Sequence, residues 1–207
     1  MWFAVSQAGA PLRMRRYVFS DAFAVISYAA FAKASHDPQA ALDLMKSFAC
    51  YLHYSFTLGM MPPKDEDTRP AKSIGAHMIG IDTAQELRAN IGDAQISGKT
   101  CTEWIDWNIA EINLEFPKPE HKPLMEVVAH DGTIINHHAG RILNPGHALE
   151  FAWFIIHSGT LRKNNVQVLL SLRKLDWMLE RGWTANLAVF STPGTCTTFP
   201  SKSTGTM

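Results

Sequence analysis

Six stretches of helical periodicity, each closed by proline, glycine or turn chemistry, leave this chain few ways to fold. The first runs from Phe19 to about Ala34, with Ser20 or Asp21 as the expected cap. It is apolar over most of its circumference, which predicts a buried helix. Asp37-Pro38 opens a second, through about Phe56, with the proline where a first turn tolerates it. A third spans about Ile74 to Asn90 and ends at Gly92. Thr100 or Thr102 caps a fourth, to about Glu115, and Pro117 and Pro119 stop it. Asn144-Pro145-Gly146 precedes a fifth, to about His157, and a sixth covers about Asn165 to Glu180. Between them, Phe3 to Arg13 predicts a hairpin turning through Gln7 to Pro11. Met125 to Ala129 and Thr133 to Asn136 flank His130-Asp131-Gly132, a second hairpin signal. Met60 to Lys72 is a loop rich in proline and charge.

Helix pairs in series make either a solenoid or a closed α/α toroid. No repeated sequence signature is present, which favours the toroid, an all-α fold with short β-hairpins between helices. Two strands alone are marginally stable, so an opening hairpin suggests the middle of something larger. A chain of 207 residues with 46% hydrophobic and 18% charged residues can bury a core. Nineteen Lys and Arg balance nineteen Asp and Glu, so no basic footprint points to nucleic acid or to a membrane surface. No apolar stretch reaches a spanning length, and the start lacks signal-peptide character. Cys50, Cys101 and Cys196 lie far apart. No disulfide framework or cysteine zinc site is expected, and a reducing cytoplasm fits.

The stretch that carries chemistry is Gly140 to Phe154. His147 and Glu150 are three apart, neighbours on one helix face. A carboxylate beside an imidazole can orient the ring and raise its basicity. Arg141 supplies a cation for a developing oxyanion, and Phe151 and Phe154 are placed to wall off water. On spacing alone, such a pair is more often a surface or capping pair than a catalytic one. Elsewhere, His137-His138 has no carboxylate cluster to complete a metal site. His36, His53, His121, His130 and His157 read as helix-end or surface residues, and Lys64 to Asp67 as a solvated loop. Trp104 and Trp107 read as packing. No glycine-rich phosphate loop is present, so no cofactor is expected.

The segment Glu126-Val127-Val128, then Asp131-Gly132, Gly140-Arg141 and Asn144-Pro145-Gly146-His147 with Glu150, Trp153 and Phe154, resembles the N-acylglucosamine 2-epimerase family, which includes the renin-binding proteins. Arg16 to Phe23 followed by an Ala-rich helix is similar to it too, as is Ala76-His77-Met78. The resemblance runs from Phe3 to about Trp183 and covers a central fragment of longer members. It implies an (α/α)6 toroid with the active site in a central cavity. It implies interconversion of N-acetylglucosamine and N-acetylmannosamine by proton transfer at C2 through an enediolate. His147 would then be one of two catalytic histidines, with Glu150 as its partner. His77, Arg141 and Asn144 would bind sugar oxygens or the enediolate. The Asn-Pro-Gly-His form favours the N-acyl sugar enzymes, whereas His77 before Met78 resembles cellobiose and aldose-ketose members. The alternatives are therefore mannose or aldose-ketose isomerisation, cellobiose 2-epimerisation, or a non-enzymatic protein-binding module. The resemblance also implies a sugar as partner, a homodimer for full-length members, and nucleotide as an effector of some of them.

The chain departs from the family after Trp183. The Gly-Gly-hydrophobic-Phe-Tyr string and the Trp-Trp-Pro-His-type motif that should bring the second histidine are absent. Thr184 to Met207 is instead rich in Thr, Ser, Gly and Pro. Inserting one base after the Trp183 codon, with suitable synonymous codons, lets the tail read Trp-Asp-Gly-Glu-Pro-Gly-Gly-Ile-Phe-Tyr and onward. The expected organisation is thus a partial toroid over 1–183 and an aberrant or disordered tail over 184–207, which the coding DNA tests. A toroid lacking helices at both ends exposes apolar faces, so poor solubility and little epimerase turnover are expected of this chain.

Overall fold

The computed structural model describes residues 4–13, 18–57, 59–60, 71–119, 123–137, 139–184 and 189–190. Two compact units divide the chain. One comprises Met1–Arg69 with Ala76–Asn108, the other Pro70–Gly75 with Ile109–Met207.

The first unit opens on a hairpin of β1 (Ala4–Val5) and β2 (Pro11–Arg13), as the turn residues predict. Helices α1 (Phe19–Ser35) and α2 (Pro38–Phe56) pack on each other. The cap of α2 is as expected: Asp37 accepts from the Gln39 amide at 2.8 Å. The cap of α1 is not. Val18 holds the N-cap position with no side-chain bond, and Ser20 and Asp21 fall inside the first turn. Nor is α1 buried all round. Its buried face is small, comprising Ala22, Ala24, Val25, Ala29 and Ala32, while Phe23 and Phe31 are exposed. Alanines bring two backbones close, so the bulky residues are left outside that contact. Helix α3 (Gly75–Ile91) stops at Gly92, whose φ of +84° suits glycine. A hairpin that propensity did not signal follows, β4 (Gln95–Ile96) with β5 (Lys99–Thr100). Ser97 and Gly98 both take positive φ there, the mark of a two-residue hairpin turn. Thr100 and Glu103 then form a reciprocal capping box at the head of α4 (Cys101–Glu115), with amide bonds of 3.2 and 2.7 Å. The buried centre includes Leu44, Phe48, Tyr51, Ile81 and Leu87.

The second unit departs from expectation at the Asp-Gly turn. The turn forms, with Gly132 at φ +79° and Asp131 accepting from the Thr133 amide at 3.0 Å. Its downstream arm is not a strand. Instead β6 (Val127–Val128) pairs antiparallel with β3 (Lys72–Ser73). A ladder partner contributed from far upstream outcompetes the local one. A 3-10 turn, Ala139–Arg141, leads to α5 (Pro145–Leu161), which packs on α6 (Asn165–Gly182). Helix α5 thus runs one turn past the expected end. Phe116, Met125, Val128, Leu143, Phe151, Ile155 and Met178 are buried. The last described strands are β7 (Trp183–Thr184) and β8 (Val189–Phe190), paired antiparallel. The rest of the 184–207 tail, Lys64 to Asp67, His121, His138 and Cys196 lie outside the described residues. Among the described residues no helix is long and apolar enough to cross a membrane.

Candidate active site

In the second unit, the chain enters α5 through Asn144, whose Oδ1 accepts from the His147 backbone amide at 3.2 Å. Pro145 lacks an amide hydrogen and sits where none is needed, so this cap and proline fix the first turn and with it His147. The His147 Nδ1 lies 3.0 Å from both carboxylate oxygens of Glu126. The His147 side chain is 46% exposed and that of Glu126 only 19%. Glu126 is anchored by its own backbone, since its carbonyl accepts from the Ile74 amide at 3.1 Å beside the β3–β6 ladder.

A carboxylate on Nδ1 is thus Glu126, which helical spacing did not single out. Glu150 is exposed, one turn along α5. The reason is tertiary. Helical spacing counts neighbours within one helix, whereas Glu126 arrives from a strand 21 residues upstream. The signal available in the sequence was Glu126 at the head of a Val-Val pair, with no spacing rule to tie it to His147. Phe151 and Phe154 are buried, while Trp153 is the exposed aromatic of this turn, at 60%.

Arg141 closes the 3-10 turn and donates through Nη1 to Asn136 Oδ1 at 3.3 Å. Gly140 is required there, since a Cβ would sit 2.4 Å from the Ile135 Cβ and 2.5 Å from its carbonyl oxygen. Because Asn144 Oδ1 caps the helix, it is the Nδ2 hydrogens that remain suited to a sugar oxygen.

His77 belongs to the first unit, near the start of α3. Its Nδ1 lies 2.9 Å from Asn108 Oδ1. Its ring stacks on Phe56, centroids 4.9 Å apart, and leans on Trp107 at 5.3 Å. Trp104 is core, as expected, donating from Nε1 to the Ile96 carbonyl at 2.8 Å. Trp107 packs as well, half-buried against Phe56, Trp104 and His77. The Tyr51 hydroxyl donates to the Ala76 carbonyl just before His77, and burial pushes its pKa well up. Asn108 and Glu126 are the two residues that sequence reasoning gave no role in either setting. Among the described residues no group of three His, Cys, Asp or Glu stands together as a metal site. His36 is a left-handed helix cap, and His157 stacks on Trp153.

Helical hairpins linked by two-stranded ladders place the chain among α/α toroid proteins, and solved structures share the fold. A cellobiose 2-epimerase from Bacillus thermoamylovorans has a TM-score of 0.71 at 14% identity, covering 90% of this chain and 50% of its own. A D-mannose isomerase has a TM-score of 0.62 at 13% identity, covering 92% of this chain and 54% of its own. By sequence, residues 1–194 match the N-acylglucosamine 2-epimerase (GlcNAc 2-epimerase) family, and the chain belongs to that family. N-acylglucosamine 2-epimerase of Bos taurus is 24% identical over 74% of this chain and 36% of its own length. That of Rattus norvegicus is 25% identical over 79% and 38%. The chain thus spans little more than a third of the curated relatives it matches.

Proposed function

We propose that this chain carries one half of a sugar C2 proton-transfer site, with His147 as the proton carrier. The observation that carries this reading is the Glu126 carboxylate set symmetrically on His147 Nδ1, with 3.0 Å to each oxygen. A carboxylate accepts only, so Nδ1 bears the hydrogen and Nε2 holds the lone pair. In an open-chain aldose the C2 hydrogen is acidic, because it lies beside the C1 carbonyl. Nε2 takes that proton, the C–H electron pair becomes the C1–C2 double bond, and the carbonyl pair moves onto O1. The product is an imidazolium, whose charge Glu126 balances, and an enolate on O1: a 2-acylamino enolate for an N-acyl hexosamine, an enediolate where C2 carries a hydroxyl. Return of a proton to the same face regenerates the sugar, and return to the opposite face inverts C2.

Arg141 is assigned to the oxyanion, Asn144 to a sugar oxygen through Nδ2, and His77 to another sugar oxygen. Glu150 is assigned to the same exposed turn as a secondary carboxylate. The substrate class is an N-acyl hexosamine, after the Asn144-Pro145-Gly146-His147 string and the family match. The runner-up is a neutral hexose or cellobiose, supported by the likeness to the cellobiose 2-epimerase and the D-mannose isomerase. A cytoplasmic setting, and a homodimer in longer members, remain part of the proposal.

The test is hydrogen–deuterium exchange at C2 in D2O, followed by proton NMR on N-acetylmannosamine, mannose and cellobiose. The reading expects exchange on N-acetylmannosamine with little net inversion. Stronger exchange on mannose or cellobiose selects the runner-up. Exchange at the buffer rate on all three contradicts both.

A further inference from the structure

The surroundings of His77 determine more than its position. Asn108 is fully buried on α4. Its Nδ2 donates to the Trp104 carbonyl at 2.8 Å, one helical turn back. That bond fixes which end of the amide is which, because a carbonyl can only accept. The end facing His77 is therefore Oδ1, at 2.9 Å from Nδ1. An amide oxygen also only accepts, so the imidazole must donate from Nδ1. The remaining nitrogen of the neutral ring, Nε2, is then an acceptor.

Two further features hold this arrangement. Gly80, one turn below His77 on α3, leaves the space the amide occupies: a Cβ there would lie 2.9 Å from both Asn108 Nδ2 and Oδ1. Phe56 and Trp107 fix the plane of the ring through stacked and tilted contacts.

We infer that Asn108, with Gly80 beneath it, is a positioning residue that locks His77 as the Nδ1–H tautomer, making its Nε2 a hydrogen-bond acceptor. Resting on the sugar-site reading, this assigns His77 to a substrate hydroxyl, which donates, and not to the enolate oxygen, which needs a donor.

The tautomer is read directly by long-range 15N NMR on the histidine-labelled 207-residue protein, with His77→Phe identifying its resonances. Above its titration midpoint, His77 should show a protonated-type Nδ1 and an unprotonated-type Nε2. Asn108→Ala should let the ring drift toward the Nε2–H form, and Gly80→Ala should do the same by displacing the amide. Asn108→Asp should keep the Nδ1–H form and raise the midpoint, since a carboxylate favours the charged ring. A simple packing role would change none of these signatures. An Nε2–H tautomer in the unaltered protein, or a tautomer unmoved by Asn108→Ala, overturns the inference. This readout needs no substrate, so its failure is separable from failure of C2 exchange.

Discussion

His77 and His147 are each tied through Nδ1, at 2.9 Å and 3.0 Å, yet by partners of opposite kind. His77 faces a buried amide and two aromatic rings. His147 faces a carboxylate and is nearly half exposed. Both settings place the hydrogen on Nδ1 and the lone pair on Nε2. They differ in what happens when a proton arrives. Glu126 stabilises an imidazolium, whereas an amide oxygen offers only a dipole. One ring has a carboxylate on Nδ1 that would balance an added proton, the other an amide on Nδ1 that orients it. The contrast follows from where each partner comes from: Asn108 from the buried face of a helix, where a carboxylate would be costly, and Glu126 from a strand end near water.

Gly140→Ala should break the His147 side most severely. The clash is with the backbone at Ile135, which cannot yield cheaply, and a loss of about 1–3 kcal/mol in stability is expected by chemical denaturation. Asn144→Ala removes the cap that seats His147 and should cost about 1 kcal/mol. The Glu126–His147 contact should loosen with it, visible in the His147 NMR signals, while the His77 tautomer stays unchanged.

Lys174 sharpens the comparison from a different direction, because among the described residues its hydrogen-bond partner is an amide, not a carboxylate. It is buried, bonded to Asn113 Oδ1 and poised over the Phe151 ring at 5.7 Å. Desolvation lowers its pKa from 10.5 to about 8. The unfolded chain therefore holds more protons than the folded one between about pH 8 and 10.5, and this group makes stability rise with pH across that window. Cys101 acts in the opposite sense, since burial raises its thiol to about 11 and its contribution is lost between pH 9 and 11. Subtracting the melting curves of Lys174→Met from those of the parent isolates the lysine. The difference should be largest below pH 8, with the variant favoured, and should shrink as pH rises. The smallest effect is that of salt. Raising ionic strength from roughly 0.01 M to 1 M should weaken the exposed Glu126–His147 pair and leave the neutral Asn108–His77 pair unmoved, by NMR.

The helices were legible because each carries its own punctuation: Asp37-Pro38, Gly92, the Thr100 capping box and Asn144-Pro145. What escaped was tertiary or balanced on small residues. The face of α1 was misjudged because periodicity counts large apolar residues, and the packed side is alanine. The Asp131-Gly132 turn was visible, but not that β6 prefers β3 as its partner. That pairing is also what delivers Glu126. His147, Arg141 and Asn144 were singled out by pattern, and they lie at or just before the head of α5. Glu126 escaped because spacing within a helix is blind to a partner 21 residues away. Asn108 gave no signal at all, since a buried asparagine reads as a helix residue until its two bonds are seen.

The central claim is that His147 Nε2 moves the C2 proton of a sugar, and deuterium exchange in D2O compared between the parent and His147→Gln tests it most directly. The account predicts C2 exchange on N-acetylmannosamine that falls roughly 10²–10⁴-fold in the variant. Its stability should change little, because the ring is exposed. Exchange that persists at the parental rate in His147→Gln would contradict it.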